Sequence, residues 1–296
     1  MPGEQFVIKP ATLEESKLIH EWGDREGWNS GVHDWKTMFY ANSDGYLVGH
    51  LGNKPICCIA IFRYDNQVAF IGWYYVLKEH RGKGYGLTIF NYAMKLLEGY
   101  NIGLDGVKAQ QGNYAKLGFS KSYDNDVYEG KVPDELSHTH NLQGLQFVPL
   151  NQIGADEVSR FEYEHTGLLR LKWWKAWLNQ PDLNSLALVD ENQRILAIST
   201  ARLTYNKSYS ISPLYATDIV YAEATLTEML KMIKASSDDS DINFSMMLNS
   251  HNDQSKQFIE KFQLKFTISF GRMWTRGLPP NTEVVNIYAA GSPESG

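Results

Sequence analysis

The chain has 296 residues, about twice the length of a typical domain, and is 43% hydrophobic and 21% charged, which excludes general disorder and supplies apolar material for two cores. Lys and Arg number 28 against 34 Asp and Glu, a net charge of −6, so the basic excess needed to hold a nucleic-acid backbone is missing. The longest strongly apolar run, residues 57–62, falls far short of the roughly 18 to 20 needed for a bilayer span, and no basic-then-apolar leader opens the sequence. The expectation is a soluble cytoplasmic or nuclear protein without nucleic-acid or membrane partners.

Residues 11–24 carry Leu13, Leu18, Ile19 and Trp22 at roughly helical spacing, and Thr12 with Glu15 makes a capping-box pattern, so a first helix is predicted there. Residues 45–49 and 56–64 read as two strands around the turn Gly52-Asn53-Lys54-Pro55, and residues 68–77 as a third strand of the meander. Cys57 and Cys58 are neighbours on a strand and point to opposite faces, which makes them reduced core residues and excludes a structural zinc site. Leu87, Ile89, Phe90, Ala93, Met94, Leu96 and Leu97 form one wide apolar helical face ending near Gly99. An extended piece over 102–109, a short helix over 112–117 and a further extended segment after Phe119 complete the first half.

A polar stretch from Val132 to Gly144 reads as a linker, giving domains at 1–135 and 145–296. The second half repeats the order: helices over 155–165 and 168–178, strands over 185–189 and 195–203, a helix over 222–235, a strand over 242–248, a helix over 253–262 and a strand over 266–275. Tyr114-Ala115-Lys116-Leu117-Gly118-Phe119 aligns without a gap on Ile259-Glu260-Lys261-Phe262-Gln263-Leu264, which agrees with a tandem repeat of one fold. Trp173, Trp174 and Trp177 at helical spacing are expected in a core.

The most specific signal is Arg81-Gly82-Lys83-Gly84-Tyr85-Gly86, lying between a strand and a helix. Alternating glycines let the main chain approach a ligand, and successive N–H groups at a helix N-terminus suit a pyrophosphate. The spacing fits neither a Walker A loop nor a dinucleotide-binding fingerprint. Together with Tyr114 to Phe119, this loop resembles the GNAT-type N-acetyltransferase superfamily over roughly residues 6–130. The resemblance implies a mixed α/β fold of two tandem GNAT-like domains, each a twisted mixed sheet flanked by helices.

It also implies acetyl-CoA as cofactor. Tyr74, Tyr75 and Val76 would lie beside the thioester and pantetheine, and Arg81, Gly82, Lys83, Gly84, Tyr85, Gly86 and Leu87 would hold the phosphates. Tyr114 takes the position of the family's general acid, while Val107 stands where an Asn is common. The loop after the first helix would border an amine acceptor, a small molecule or a protein, with Glu26 as a candidate base and Trp28, His33 and Asp34 as candidate acceptor contacts. Asp105 is a weaker candidate, and no metal cluster is expected. Residues 212–223 lack the glycines, and Ile259 replaces Tyr114, so the second half is expected to keep the fold without the phosphate loop. The alternative reading is a coenzyme A sensor or scaffold without catalysis, and a longer acyl chain is a further possibility for the donor.

Overall fold

In the computed structural model, which describes residues 4–237 and 239–296, the first half begins with β1 (Phe6–Pro10), α1 (Leu13–Arg25), α2 (Asp34–Ala41), β2 (Tyr46–Leu51), β3 (Lys54–Arg63) and β4 (Val68–Val76). It continues with α3 (Tyr85–Leu96), β5 (Asn101–Val107), α4 (Lys108–Lys116) and β6 (Ser120–Lys131). The second half runs β7 (Gln146–Val148), α5 (Leu150–Ile153), α6 (Ala155–Thr166), α7 (Leu171–Trp177), β8 (Asn184–Val189), β9 (Ile195–Leu203) and β10 (Tyr209–Ala216). Then come α8 (Ile219–Ser236), β11 (Asn243–Asn249), α9 (Lys256–Lys261), β12 (Lys265–Trp274) and β13 (Ile287–Ala289). The predicted capping box starts α1: the Glu15 amide donates to Thr12 Oγ1 at 3.2 Å and the Thr12 amide to Glu15 Oε2 at 2.8 Å. None of the described helices is long and apolar enough to cross a membrane.

The order of elements repeats, as the sequence suggests, but the two sheets are not separate. All strands join one mixed sheet in the order β1-β2-β3-β4-β5-β12-β6-β11-β10-β9-β8-β7. The halves have exchanged their last strands. β12 of the second half lies antiparallel between β5 and β6, and β6 of the first half pairs with β11. Where β5, β12 and β6 meet, Arg272 makes two hydrogen bonds to Asp105, at 2.7 and 2.8 Å, and Asn125 approaches the same carboxylate at 3.3 Å. Asp105, a weaker base candidate from sequence, is therefore spent on a buried ion pair.

Three cores result. Ile61, Ile71, Ile89, Phe90 and Leu104 fill the α3 side of the first half, and Leu226, Met229, Leu230, Phe244 and Phe258 the α8 side of the second. The third lies between the halves, where α2 packs on α7 and buries Trp22, Met38, Tyr46, Phe70, Trp174 and Tyr215. The tryptophans of α7 are core here, with Trp173 and Trp177 stacked at 4.3 Å. Cys57 and Cys58 are buried and free. Between Lys131 and Gln146 the chain has neither helix nor strand and is tied to α8 by His138 to Glu228 at 3.1 Å and His140 to Glu223 at 3.3 Å.

Each half also holds a parallel strand pair that comes apart. β4 and β5 pair only from Val68 to Ile71 and from Asn101 to Leu104, after which β4 bulges at Trp73, whose φ is 49°. β10 and β11 pair only from Tyr209 to Ile211 and from Phe244 to Met246, with a bulge over Ser212 and Pro213. The second gap is closed by β13. It pairs antiparallel with β10 at Leu214 and Tyr215, and the Ala290 amide donates to the Met247 carbonyl on β11 at 2.8 Å.

Removing one member of a buried ion pair strands the other charge, a loss of about 3–5 kcal/mol. Asp105→Ala, which leaves the Arg272 guanidinium at the strand exchange unpaired, is expected to lower stability by that amount, read from the urea midpoint at constant slope.

Candidate active site

The glycines of the loop after β4 do different work. Gly82 and Gly84 have φ of 74° and 86°, the left-handed region that side chains resist, and the space a Cβ would occupy is open at both. Gly86 is needed for contact: a Cβ there would stand 2.6 Å from Tyr74 Oη and 3.1 Å from Val76 Cγ2, so its absence lets α3 sit down on β4. Gly84 caps α3 without a side chain, so the first amides of the helix, at Tyr85, Gly86 and Leu87, project from its N-terminus with no side-chain cap. Lys78, Arg81 and Lys83 add positive charge around them. Amides, helix dipole and cations all favour an anion at this position.

The open part of β4 carries Tyr74, Tyr75 and Val76. Tyr74 faces α3, its ring 5.4 Å from that of Phe90. Tyr75 faces the other way, donating to Glu26 Oε1 at 2.9 Å, with the Arg81 guanidinium 5.2 Å above its ring. The Val76 carbonyl accepts from Arg81 Nε at 2.9 Å. Tyr114 of α4 lies across β5, where Gly106 makes room for its ring, and packs on Phe90 at 6.0 Å. Burial pushes the Tyr114 phenol well above its ordinary pKa, with Tyr74 adding to the effect, so the hydroxyl stays protonated. Val107 is the N-cap of α4 and pairs with Phe270 of β12.

The loop candidates separate in the structure. Glu26 Oε1 lies 3.2 Å from Lys78 Nζ and 3.6 Å from Arg81, and hydrogen bonds from Tyr75 and Lys78 hold its carboxyl below the ordinary value. It therefore ties the α1 end to the glycine loop. Trp28 is 40% exposed and covers Trp73 and Tyr75 at ring distances of 5.6 and 5.9 Å. His33 is a surface group 3.6 Å from Asp182. Asp34 is buried and fully engaged: Arg202 Nε donates to both its oxygens at 2.9 Å, Gln180 at 3.2 Å and the Gly31 amide at 2.9 Å.

That pair joins α2 of the first half to β9 of the second, and the sequence reading did not anticipate it. The available signal was one Arg inside the otherwise uncharged strand 195–203. His20, also overlooked, is fully buried on α1 with its ring 3.8 Å from that of Trp73.

The counterpart of the loop in the second half is closed to anions. Asp218 caps α8, accepting from the Val220 amide at 2.8 Å, so a carboxylate occupies the helix N-terminus, and β13 fills the strand gap beside it.

Residues 10–119 match the acetyltransferase (GNAT) family. The chain is 29% identical over 218 residues to the holothin acyltransferase of Pseudoalteromonas sp. (strain SANK 73390), covering 72% of this chain and 70% of that protein. Among solved structures, a Pyrococcus horikoshii protein shares the fold with a TM-score of 0.77 at 20% identity, over 100% of this chain and 97% of its own. A tandem GNAT protein from the clavulanic acid biosynthesis pathway does so with a TM-score of 0.62 at 10% identity, over 91% and 98%. The chain shares its fold with a tandem GNAT protein, and its first half carries the match to the GNAT acetyltransferases.

Burial holds His20 neutral, with its pKa lowered to about 3, although the Asp34 carboxylate pulls the other way. The unfolded chain takes up a proton at this imidazole below about pH 6.5 and the folded protein only near 3, so stability contributed by neutral His20 is present above pH 6.5 and lost as pH falls. Between pH 6 and pH 5 the wild-type protein is expected to lose about 1 kcal/mol more unfolding free energy than His20→Gln, measured by urea titration at both pH values.

Proposed function

We propose that the first half transfers an acetyl group from acetyl-CoA to an amine by direct attack in a ternary complex, with residues 1–135 as the catalytic domain and 145–296 as a domain without its own cofactor site. One observation carries this reading. The two strand gaps differ, and only the one that remains open leads into a glycine loop with uncapped helix amides.

The chain's groups then divide the work. The open edge of β4 at Tyr74, Tyr75 and Val76 offers main-chain partners to an extended amide-bearing arm, as a sheet edge does to an added strand. Gly82 and Gly84 admit a pyrophosphate to the amides of Tyr85, Gly86 and Leu87, with Arg81 and Lys83 alongside. An alkylammonium has a pKa of ~10.4 and must lose a proton before it attacks. When the C–S bond breaks, the leaving thiolate needs a proton, and Tyr114, which burial keeps in its neutral form, supplies it. The acceptor enters from the opposite face, where Trp28 forms a wall and His33 the rim. Asp34 shapes that face through Arg202 rather than touching the acceptor. The relative's name makes holothin the first acceptor to try.

Gly84→Glu places a side chain and a negative charge where φ is 86° and phosphate is to bind, and should abolish acetyl-CoA binding in calorimetry while the fold is retained by circular dichroism. Unchanged affinity would remove the assignment. Tyr114→Phe should leave affinity for acetyl-CoA intact and reduce turnover by about a hundredfold, within the range of lost general acid catalysis. Turnover at the wild-type rate would show that water serves as the acid.

A further inference from the structure

The segment that closes the gap in the second half does not stop there. After β13 the chain passes through Gly291 and Ser292 into the first half, where the main chain of Glu294 lies directly against Gly72: a Cβ on Gly72 would stand 2.1 Å from the Glu294 carbonyl oxygen and 2.6 Å from its Cα. Gly72 is the first residue of β4 beyond its pairing with β5 and immediately precedes the bulge at Trp73. Glu294 is therefore brought to the mouth of the open gap. It is held there from both sides. β13 anchors the approach, and beyond it Arg170 donates to the carbonyls of Ser295 and Gly296 at 3.1 and 3.2 Å, while the Tyr64 hydroxyl donates to the Ser295 carbonyl.

Polar atoms around this point lack partners among the described residues. Both ring nitrogens of His20, the hydroxyl of Tyr46 and the indole N–H of Trp73 are buried and unpaired, on side chains 0 to 4% exposed together with their neighbour Trp22. Buried polar groups are costly unless satisfied, so these unpaired groups are free to take a hydrogen-bonding partner. Neutral His20 and the Tyr46 hydroxyl can accept from the N–H groups of an amine. The one carboxylate of this group not already spent on an ion pair is Glu294.

We propose that Glu294 takes the proton that the acceptor amine loses as acyl transfer proceeds in the first half. The role rests on the acyl-transfer reading given above. The amine's proton passes to the Glu294 carboxylate, directly or across one water, as its nitrogen bonds to the thioester carbonyl carbon. The ammonium's first proton goes to solvent before attack, the electron pair of the breaking C–S bond stays on sulfur, the thiolate receives a proton from Tyr114, and the proton held by Glu294 returns through water to the Tyr114 phenolate, which resets both groups. The electrostatic surroundings suit the task. The charges of Arg202 on β9 and Asp34 on α2 act on the Glu294 carboxyl, which in turn acts on the Tyr46 phenol of β2, and Ser292 on its own segment hydrogen-bonds to it. Burial lifts the carboxyl to about 7, helped by Asp34 and opposed by Ser292 and Arg202, which puts its proton affinity near that of a working base at neutral pH. Glu26, held below its ordinary value by Tyr75 and Lys78, is the weaker acceptor.

The test compares wild type, Glu294→Gln and Glu294→Asp with acetyl-CoA as donor and holothin plus a panel of primary amines as acceptor probes. Glu294→Gln is expected to bind acetyl-CoA with wild-type affinity, to lose about a hundredfold in kcat, and to lose the rise of kcat through neutral pH; Glu294→Asp should keep that rise with reduced kcat. A Gln variant within twofold of wild type, with the pH rise intact, overturns the role. If the Gln variant does not fold, the Asp variant decides: reduced kcat with the rise kept supports the role, and kcat at the wild-type level overturns it. Wild-type protein that fails to bind acetyl-CoA or to acylate any probe overturns the acyl-transfer reading itself, and this role with it.

Discussion

Main-chain N–H and C=O groups inside a protein must find partners, and two parallel strands that diverge leave a row of them unpaired. This chain creates that situation twice. β4 leaves β5 after four paired residues and β10 leaves β11 after three. In the second half the debt is met internally, since β13 pairs with β10 and reaches β11 through Ala290. In the first half the edge from Tyr74 to Val76 stays open beside a loop whose amides are also uncapped. The asymmetry follows from the same rule applied to two copies of one fold.

The exchange of β6 and β12 makes the asymmetry durable. Each half's sheet is completed by the other's last strand, so neither half is finished alone. Three buried Arg–carboxylate pairs mark the joint: Asp105 with Arg272, Asp34 with Arg202, and Glu162 with Arg170, whose carboxylate also accepts from Trp174 Nε1 at 2.6 Å. Such pairs add little net stability over apolar packing, but a wrong register would leave each charge stranded. Two of the three link residues of different halves. Their arrangement fixes how α2 meets β9 and how β5 meets β12.

Much of this was legible in the sequence because local rules write themselves locally. Thr12 and Glu15 cap α1 as their spacing predicts, Ile89, Phe90, Ala93 and Leu97 of the expected apolar face are buried while Leu87 and Leu96 stay exposed, and the glycines at 82 and 84 occupy the left-handed region that only glycine enters freely. What escaped was set by partners far away in the chain. β10 was missed because Ser212 and Pro213 interrupt its strand character, and their bulge is stabilised by pairing with β9 on one side and β13 on the other. α2 was missed because its polar start, Asp34, is buried only through Arg202, 168 positions later. A two-residue side-chain period says that a strand has a buried face, but it does not name the neighbouring strand, so the continuity of the sheet through β12 left no trace in either half.

The same reasoning explains why a duplicated fold would keep a half without a phosphate loop. Once β13 fills the second gap and Asp218 caps α8, that half has no need of an external ligand to satisfy its main chain. Its closed gap then becomes a rigid anchor, and the segment leaving it crosses to Gly72 in a fixed position, with Arg170 and Tyr64 holding its far side. A carboxylate on a free tail would lose conformational entropy each time it approached the bulge. Here that ordering is completed during folding, because β13 anchors the chain before Glu294 and Arg170 and Tyr64 hold the residues after it.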